Sequence, residues 1–321
     1  CRSGPLCRFR FPLLMATRVH LRSLVLLGAG SLILLALTLT GAVGESAPTT
    51  MEARVDTVPQ TVTPPRIAEG LEFAGTPLPL ERLGVRERME KELLIGTFRH
   101  SSSLLTLKRS GRWFPLIEPI LVDSGVPVDF KYLSVIESGL ANAVSPSDAR
   151  GFWQFMEPAA EEFGLRVDRD VDERYHVEKA TRAACAYLNE AHRRYGDWIL
   201  AAASYNMGMS GLSRRLDQQQ GESYWDLMLN DETARYIYRL YATKQVMEAP
   251  EAHGFMLAAD DWYSPVPGRD TILVDSVDDL AAFARQAGVS YNALKTLNPW
   301  LRSGKLPIPH DQYYVVRLPL R

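Results

Sequence analysis

Ile136-Glu137-Ser138-Gly139-Leu140, followed by Val144-Ser145-Pro146 and then by Gly151-Phe152-Trp153-Gln154-Phe155-Met156, is the stretch on which the reading of this chain turns. Tyr132-Leu133-Ser134-Val135-Ile136 is mostly apolar and leads straight into Glu137. A carboxylate is therefore expected at the end of an apolar helix, with a polar turn and an aromatic, amide-bearing segment behind it. Burial disfavours the charged form of such a group, so its pKa should rise. A glutamic acid that keeps its proton near neutrality can deliver it to a glycosidic oxygen. The same residues also fit a helix C-terminus with an exposed glutamate.

Two further blocks follow in order, Ala203-Ser204-Tyr205-Asn206-Met207-Gly208 and Glu232-Thr233-Ala234-Arg235-Tyr236. Together with Glu137-Ser138 and the 151–156 segment, they resemble the signature blocks of the soluble-lytic-transglycosylase family. The resemblance runs from about residue 80 to about residue 249. It implies a mainly α architecture, with a lysozyme-like helical catalytic domain over 80–256. The activity implied is cleavage of the β-1,4 bond between N-acetylmuramic acid and N-acetylglucosamine in peptidoglycan strands, leaving 1,6-anhydromuramyl ends. A single glutamate, here Glu137, would act first as acid and then as base. Ser138, Gln154, Met156, Tyr205, Asn206 and Tyr236 are the substrate-binding candidates that the resemblance supplies. No cofactor is implied. Two rivals stay open. One is a lysozyme-like hydrolase on the same fold, and the other is a cell-wall-binding protein without turnover.

Several of these positions have plainer readings. Ser138 fits an orienting role toward Glu137 or helix capping. Trp153 and Phe155 alternate as core aromatics would. Tyr236 fits either a contact to Glu137 or a core position beside Tyr238 and Tyr241. Asp148 stands in Ser145-Pro146-Ser147-Asp148-Ala149, where the family usually has glycine. Aspartate tolerates a left-handed turn better than most residues. The alternative role is a second carboxylate that activates water, as hydrolases require.

Composition narrows the class. Hydrophobic residues make up 46% and charged residues 23% of 321, ordinary for a globular protein. The net charge of −2 conceals an uneven distribution. Residues 1–44 hold five arginines and no acid. Removing those from 36 basic residues leaves 31 against 38 acidic, a balance of −7. No basic stripe or glycine-rich phosphate loop appears, so nucleic acid is not an expected partner. Cys185 lies among Ala183, Ala184, Ala186, Tyr187 and Leu188 and reads as a buried thiol. With no CxxC, HExxH or paired-histidine spacing, a metal site is not expected. His100, His176, His192 and His253 form no motif and read as solvent-facing or partly packed.

Arg18 and Arg22 precede an uncharged apolar run over 24–39, with small residues at 41–44. That is the pattern of a signal peptide, with an uncleaved membrane anchor as the alternative, and Met15 is the expected start. The expected location is the bacterial periplasm or cell envelope. Residues 45–79 are rich in Thr, Pro and Ala and read as a linker. Helical patterning begins near 81, and Pro115 and Pro119 are expected to interrupt or kink a helix over 112–122. Further helices are expected over 157–163, 177–195, 198–206, 211–220 and 232–248. After a Pro- and Gly-containing break at 250–268, strand, helix, helix and strand over 269–320 resemble a LysM domain. The usual Gly-Asp-Thr-Leu entry is only echoed by Asp270-Thr271.

Overall fold

The computed structural model describes residues 62–320. The expected leader and the first part of the expected linker lie outside the described residues. The second part of that linker differs from expectation. Strands β1 (Glu72–Phe73) and β2 (Thr76–Pro77) form an antiparallel hairpin. Phe73 and Leu78 are buried in the main core. The Gln245 side chain accepts from the backbone N–H of Ala68 at 3.1 Å and donates to the carbonyl of Arg66 at 2.8 Å. A segment poor in large apolar residues is thus held by the few it has and by one buried amide.

Helix α1 (Val85–Phe98) is followed directly by α2 (His100–Asp123). Pro115 and Pro119 lie inside α2 rather than ending it. Each removes one backbone donor, but Ile117, Ile120 and Leu121 are buried around them. That burial outweighs the missing ladder bonds. The short α3 (Lys131–Ser138) carries Glu137. Then come α4 (Glu157–Glu162), with Pro158 in its first turn, and α5 (Val177–Tyr195). The alanine-rich face of α5 packs inward, Cys185 included. Gly196, at φ 67°, ends it in the left-handed conformation. The Asp197 side chain accepts from the N–H of Leu200 at 2.7 Å and caps α6 (Trp198–Met207). Helices α7 (Met209–Gln219) and α8 (Asp231–Glu248) complete the helical body. His253, expected to be solvent-facing or partly packed, is buried, 2.9 Å from the Thr97 hydroxyl.

The C-terminal module has β3 (Gly268–Leu273), α9 (Leu280–Gln286), α10 (Tyr291–Leu297) and β4 (Tyr314–Pro319). The two strands pair antiparallel, with Ile272 opposite Val315. The break at 250–268 separates this module along the chain but not in packing. Val171 and Tyr175, from the loop before α5, belong to the module's own core with Leu280, Trp300 and Leu306. Val171 forms a β-bridge with Leu301, and the N–H of Asp172 donates to the carbonyl of Trp300 at 2.9 Å.

Truncation before the module would bare Val171 (0% exposed) and Tyr175 (5%). The truncated chain should therefore melt below the full chain, by circular dichroism. In the full chain, Trp300→Ala should cost about 3–5 kcal/mol, the usual range for a buried aromatic. Proteolysis should then cut the module first.

Candidate active site

The site is built where α3 stops. Gly139 takes the left-handed conformation at φ 60°, and its N–H bonds the Val135 carbonyl at 2.8 Å. This places Glu137 in the last helical turn with its carboxyl directed toward α8. There the Tyr236 hydroxyl donates to Glu137 Oε1. Burial is the strongest influence on this carboxyl and raises its pKa. The Tyr236 hydrogen bond and the Arg239 charge pull it down, while Glu232 adds an upward push. The balance leaves Glu137 above the ordinary carboxylate range. Tyr236 and Tyr205 are themselves pushed well up, first by burial and then by the neighbouring Glu137 charge, so both hydroxyls stay protonated donors.

The loop between α3 and α4 forms one wall. Bridges join Val144 to Arg150 and Arg150 to Phe155. Gly151 sits at φ 82°, and a Cβ there would lie 1.9 Å from the Arg174 carbonyl oxygen. Only glycine allows that approach. Gln154 is also left-handed, at φ 50°. Its amide nitrogen donates to the carbonyls of Ala143 (3.1 Å) and Gly151 (2.8 Å), so it pins the wall in shape. Trp153 and Phe155 are buried, and the Trp153 indole N–H donates to Thr181 Oγ1 at 2.9 Å. Met156, at the mouth of α4, is 44% exposed.

The end of α6 brings Tyr205 and Asn206. The Tyr205 hydroxyl donates to the Trp153 carbonyl at 2.8 Å, which ties α6 to the wall. Asn206 accepts from the Thr233 hydroxyl at 2.8 Å and donates to Glu232 Oε1 at 3.4 Å. Ser138 makes no hydrogen bond to Glu137 among the described residues. Its hydroxyl bonds back to the Ser134 carbonyl, 3.0 Å away and one turn earlier. Asp148 is left-handed at φ 68° and exposed, and Arg150 holds it at 2.8 Å.

Tyr236 and Tyr205 therefore act on Glu137 directly, Asn206 is linked to it through Glu232, Gln154 braces the loop itself, and Met156 is exposed at the start of α4. Two charged neighbours, Arg239 and Arg109, escaped the sequence reading, and a third, Glu232, stands in its last block without an assigned role. Arg239 Nη2 donates to the Ile136 carbonyl at 2.8 Å, and Arg109 Nη1 donates to the Gly139 carbonyl at 2.9 Å. Glu232 acts electrostatically on Glu137. Spacing held a signal for Arg239, because it follows Tyr236 by three on one helix face. Arg109 had none, since α2 meets α3 only in the folded chain. Among the described residues no cluster of His, Cys, Asp or Glu is arranged to hold a metal ion.

Two stretches of the chain match known domain families. The family described as transglycosylase SLT domain matches residues 125–228. The soluble lytic transglycosylase C-terminal LysM-like domain matches 270–321. Membrane-bound lytic murein transglycosylase D of Escherichia coli, from strains K12 and O6:H1, is 26% identical over 238 residues. That alignment covers 72% of this chain and 51% of each relative, so the chain spans about half the length of these curated relatives. Among solved structures, an inactive mutant of the lytic transglycosylase Slt from Pseudomonas aeruginosa aligns with TM-score 0.37 and 18% identity, covering 55% of this chain and 33% of that one. The chain thus carries a transglycosylase SLT domain, followed by a LysM-like domain of the type found at the C-terminus of soluble lytic transglycosylases.

Proposed function

We propose that this chain is a peptidoglycan lytic transglycosylase in which Glu137 alone serves as acid and then as base. The observation that carries the reading is the partly buried Glu137 carboxyl, raised in pKa and hydrogen-bonded by Tyr236. Tyr236 occupies Oε1, which leaves Oε2 for the travelling proton. Oε2 gives its proton to the glycosidic oxygen as the bond to the muramyl C1 breaks. The resulting carboxylate, held by Tyr236, takes the proton of the muramyl 6-hydroxyl while that oxygen bonds C1. The proton lost is regained and no water is consumed. The attack is efficient because nucleophile and reacting carbon belong to one sugar ring. Murein is named by the relatives and peptidoglycan strands are the proposed substrate. The cell envelope is the proposed location, although no described helix is long and apolar enough to cross a membrane.

The hydrolase reading needs a second carboxylate to activate water. Asp148 is a poor candidate, being exposed and paired with Arg150. The carboxylate coupled to Glu137 is Glu232, which accepts from Asn206. Digestion of peptidoglycan in oxygen-18 water separates the two chemistries. The expected muropeptides are one water lighter than hydrolysis products, unlabelled and resistant to borohydride. Labelled, reducible muramic acid ends would replace this reading with a hydrolase.

Glu137→Gln should lower turnover by about two to four orders of magnitude, the usual share of general acid work. Asp148→Asn should keep most activity; a loss as deep as that of Glu137→Gln would make Asp148 catalytic. The sign of the pH effect also follows. A carboxyl whose pKa is raised on folding favours the native state below its unfolded pKa, and that contribution is lost as pH rises through its folded pKa. Glu137→Gln should therefore melt higher than the parent at alkaline pH, with little difference in acid.

A further inference from the structure

The end of α3 is held by two guanidinium groups from different helices. A helix terminus leaves carbonyls without partners and carries a partial negative charge. Here the Ile136 carbonyl accepts from Arg239 of α8 at 2.8 Å, and the Gly139 carbonyl accepts from Arg109 of α2 at 2.9 Å. The two bonds bracket Glu137, so the backbone that aims its carboxyl is fixed from both sides.

The two arginines are not equivalent. Arg239 sits one turn beyond Tyr236 on α8, so a single helix face supplies both the donor to the carboxyl and a charge close to it. Arg239 also lines a cavity of about 350 Å³ with Ile136, Gly139, Arg99 and Thr106. Among the described residues no carboxylate lies within ion-pair distance of it, whereas Arg235 on the same helix is spent on Glu92 at 2.6 Å. The titratable and charged groups around Glu137 are Tyr236, Arg239 and Glu232 from α8 and Tyr205 from α6. Arg109 approaches from α2 but acts on the Gly139 carbonyl, and the charges of the wall, Asp148 and Arg150, pair with each other. Arg239 is thus the cation in this set that acts on Glu137.

We propose that Arg239 is a positioning residue for the catalytic acid, holding the last turn of α3 and placing a fixed positive charge behind the Glu137 carboxyl. This rests on the reading of Glu137 as the acid. The charge opposes burial and Glu232, so Glu137 is a stronger acid than its desolvation alone would leave. Proton delivery to the glycosidic oxygen is then easier, and the carboxylate formed is stabilised until the 6-hydroxyl proton arrives.

The test is the pH dependence of muropeptide release by full-length variants. Activity should fall as Glu137 deprotonates, giving an alkaline limb. Arg239→Gln should move that limb to higher pH by about one unit and lower turnover at the optimum by about tenfold, since one unit of acidity is about a tenfold change. Arg239→Lys should restore the limb, because the charge returns on a shorter side chain. Arg109→Gln should lower the melting temperature and leave the limb in place. Should Arg239→Gln fail to fold, Arg239→His replaces it. Its imidazole is neutral above a pKa of about 6.5, so the same upward movement is expected. A limb unmoved in the folded Gln or His variant, or moved as far in Arg239→Lys, overturns the proposal. Glu137→Gln is the separate control. Activity surviving in that variant defeats the assignment of the acid, whereas its loss beside an unmoved Arg239 limb defeats only the role of Arg239.

Discussion

One carboxyl group at the end of a short helix sets the terms for its surroundings. Glu137 is drawn out of water, and an ionised carboxylate there without compensation would cost several kcal/mol. The compensation comes from α8, through the Tyr236 hydroxyl and the Arg239 charge. Helix α8 must therefore lie against α3 in one rotational setting. It is held there by α1, whose buried Glu92 bonds Arg235, and by the β1–β2 hairpin, where the Tyr241 hydroxyl donates to the Thr76 carbonyl at 2.7 Å. The segment before residue 80 thus helps to hold the site through α8, far from it in sequence.

The opposite wall is tied to a different part of the molecule. Arg174 (1% exposed) and Asp172 (3%) form a buried ion pair at 2.8 Å. Arg174 also reaches the Phe155 carbonyl at 3.4 Å, and its own carbonyl seats Gly151. The neighbouring Val171 is in the C-terminal core, and Asp172 bonds the Trp300 carbonyl. One strip of chain therefore serves both the wall that carries Gln154 and the module behind it. A buried ion pair gives little net stability, because desolvation offsets attraction. Its effect here is to specify how the loop is seated. The LysM-like module is accordingly a structural support for the wall.

Much of this was legible from residue order. The α5 helix ends at Gly196 and α6 begins at Asp197 because a left-handed cap and a side-chain acceptor are local devices. Asp148 adopts the left-handed turn that its side chain tolerates. Glu137, after an apolar run, was marked as a carboxyl that folding would desolvate. The order of the blocks also singled out Tyr236, which bonds Glu137, and Tyr205, whose hydroxyl feels its charge. Each of these depends on neighbours within a turn or two of chain, or on a motif intact in one segment.

What residue order alone did not decide depends on partners distant in sequence. Pro115 and Pro119 signal a broken helix, yet burial of Ile117, Ile120 and Leu121 carries α2 through them. The Thr-, Pro- and Ala-rich 45–79 stretch reads as a tether, but Gln245 and Tyr241 of α8 hold its end at Arg66 and Thr76 in place. Ser138 could have bonded in several directions, and helix geometry sent its hydroxyl back to Ser134. Arg109 and Arg239 look like ordinary surface cations until α2 and α8 bring them to the end of α3. The sequence by itself determined which carboxyl stands at the end of an apolar run and where local devices such as Gly196 and Asp197 stop one helix and start the next, because those are local chemistry. Tertiary structure decided that group's acidity and aim, because burial and charge are properties of whatever the fold places beside it.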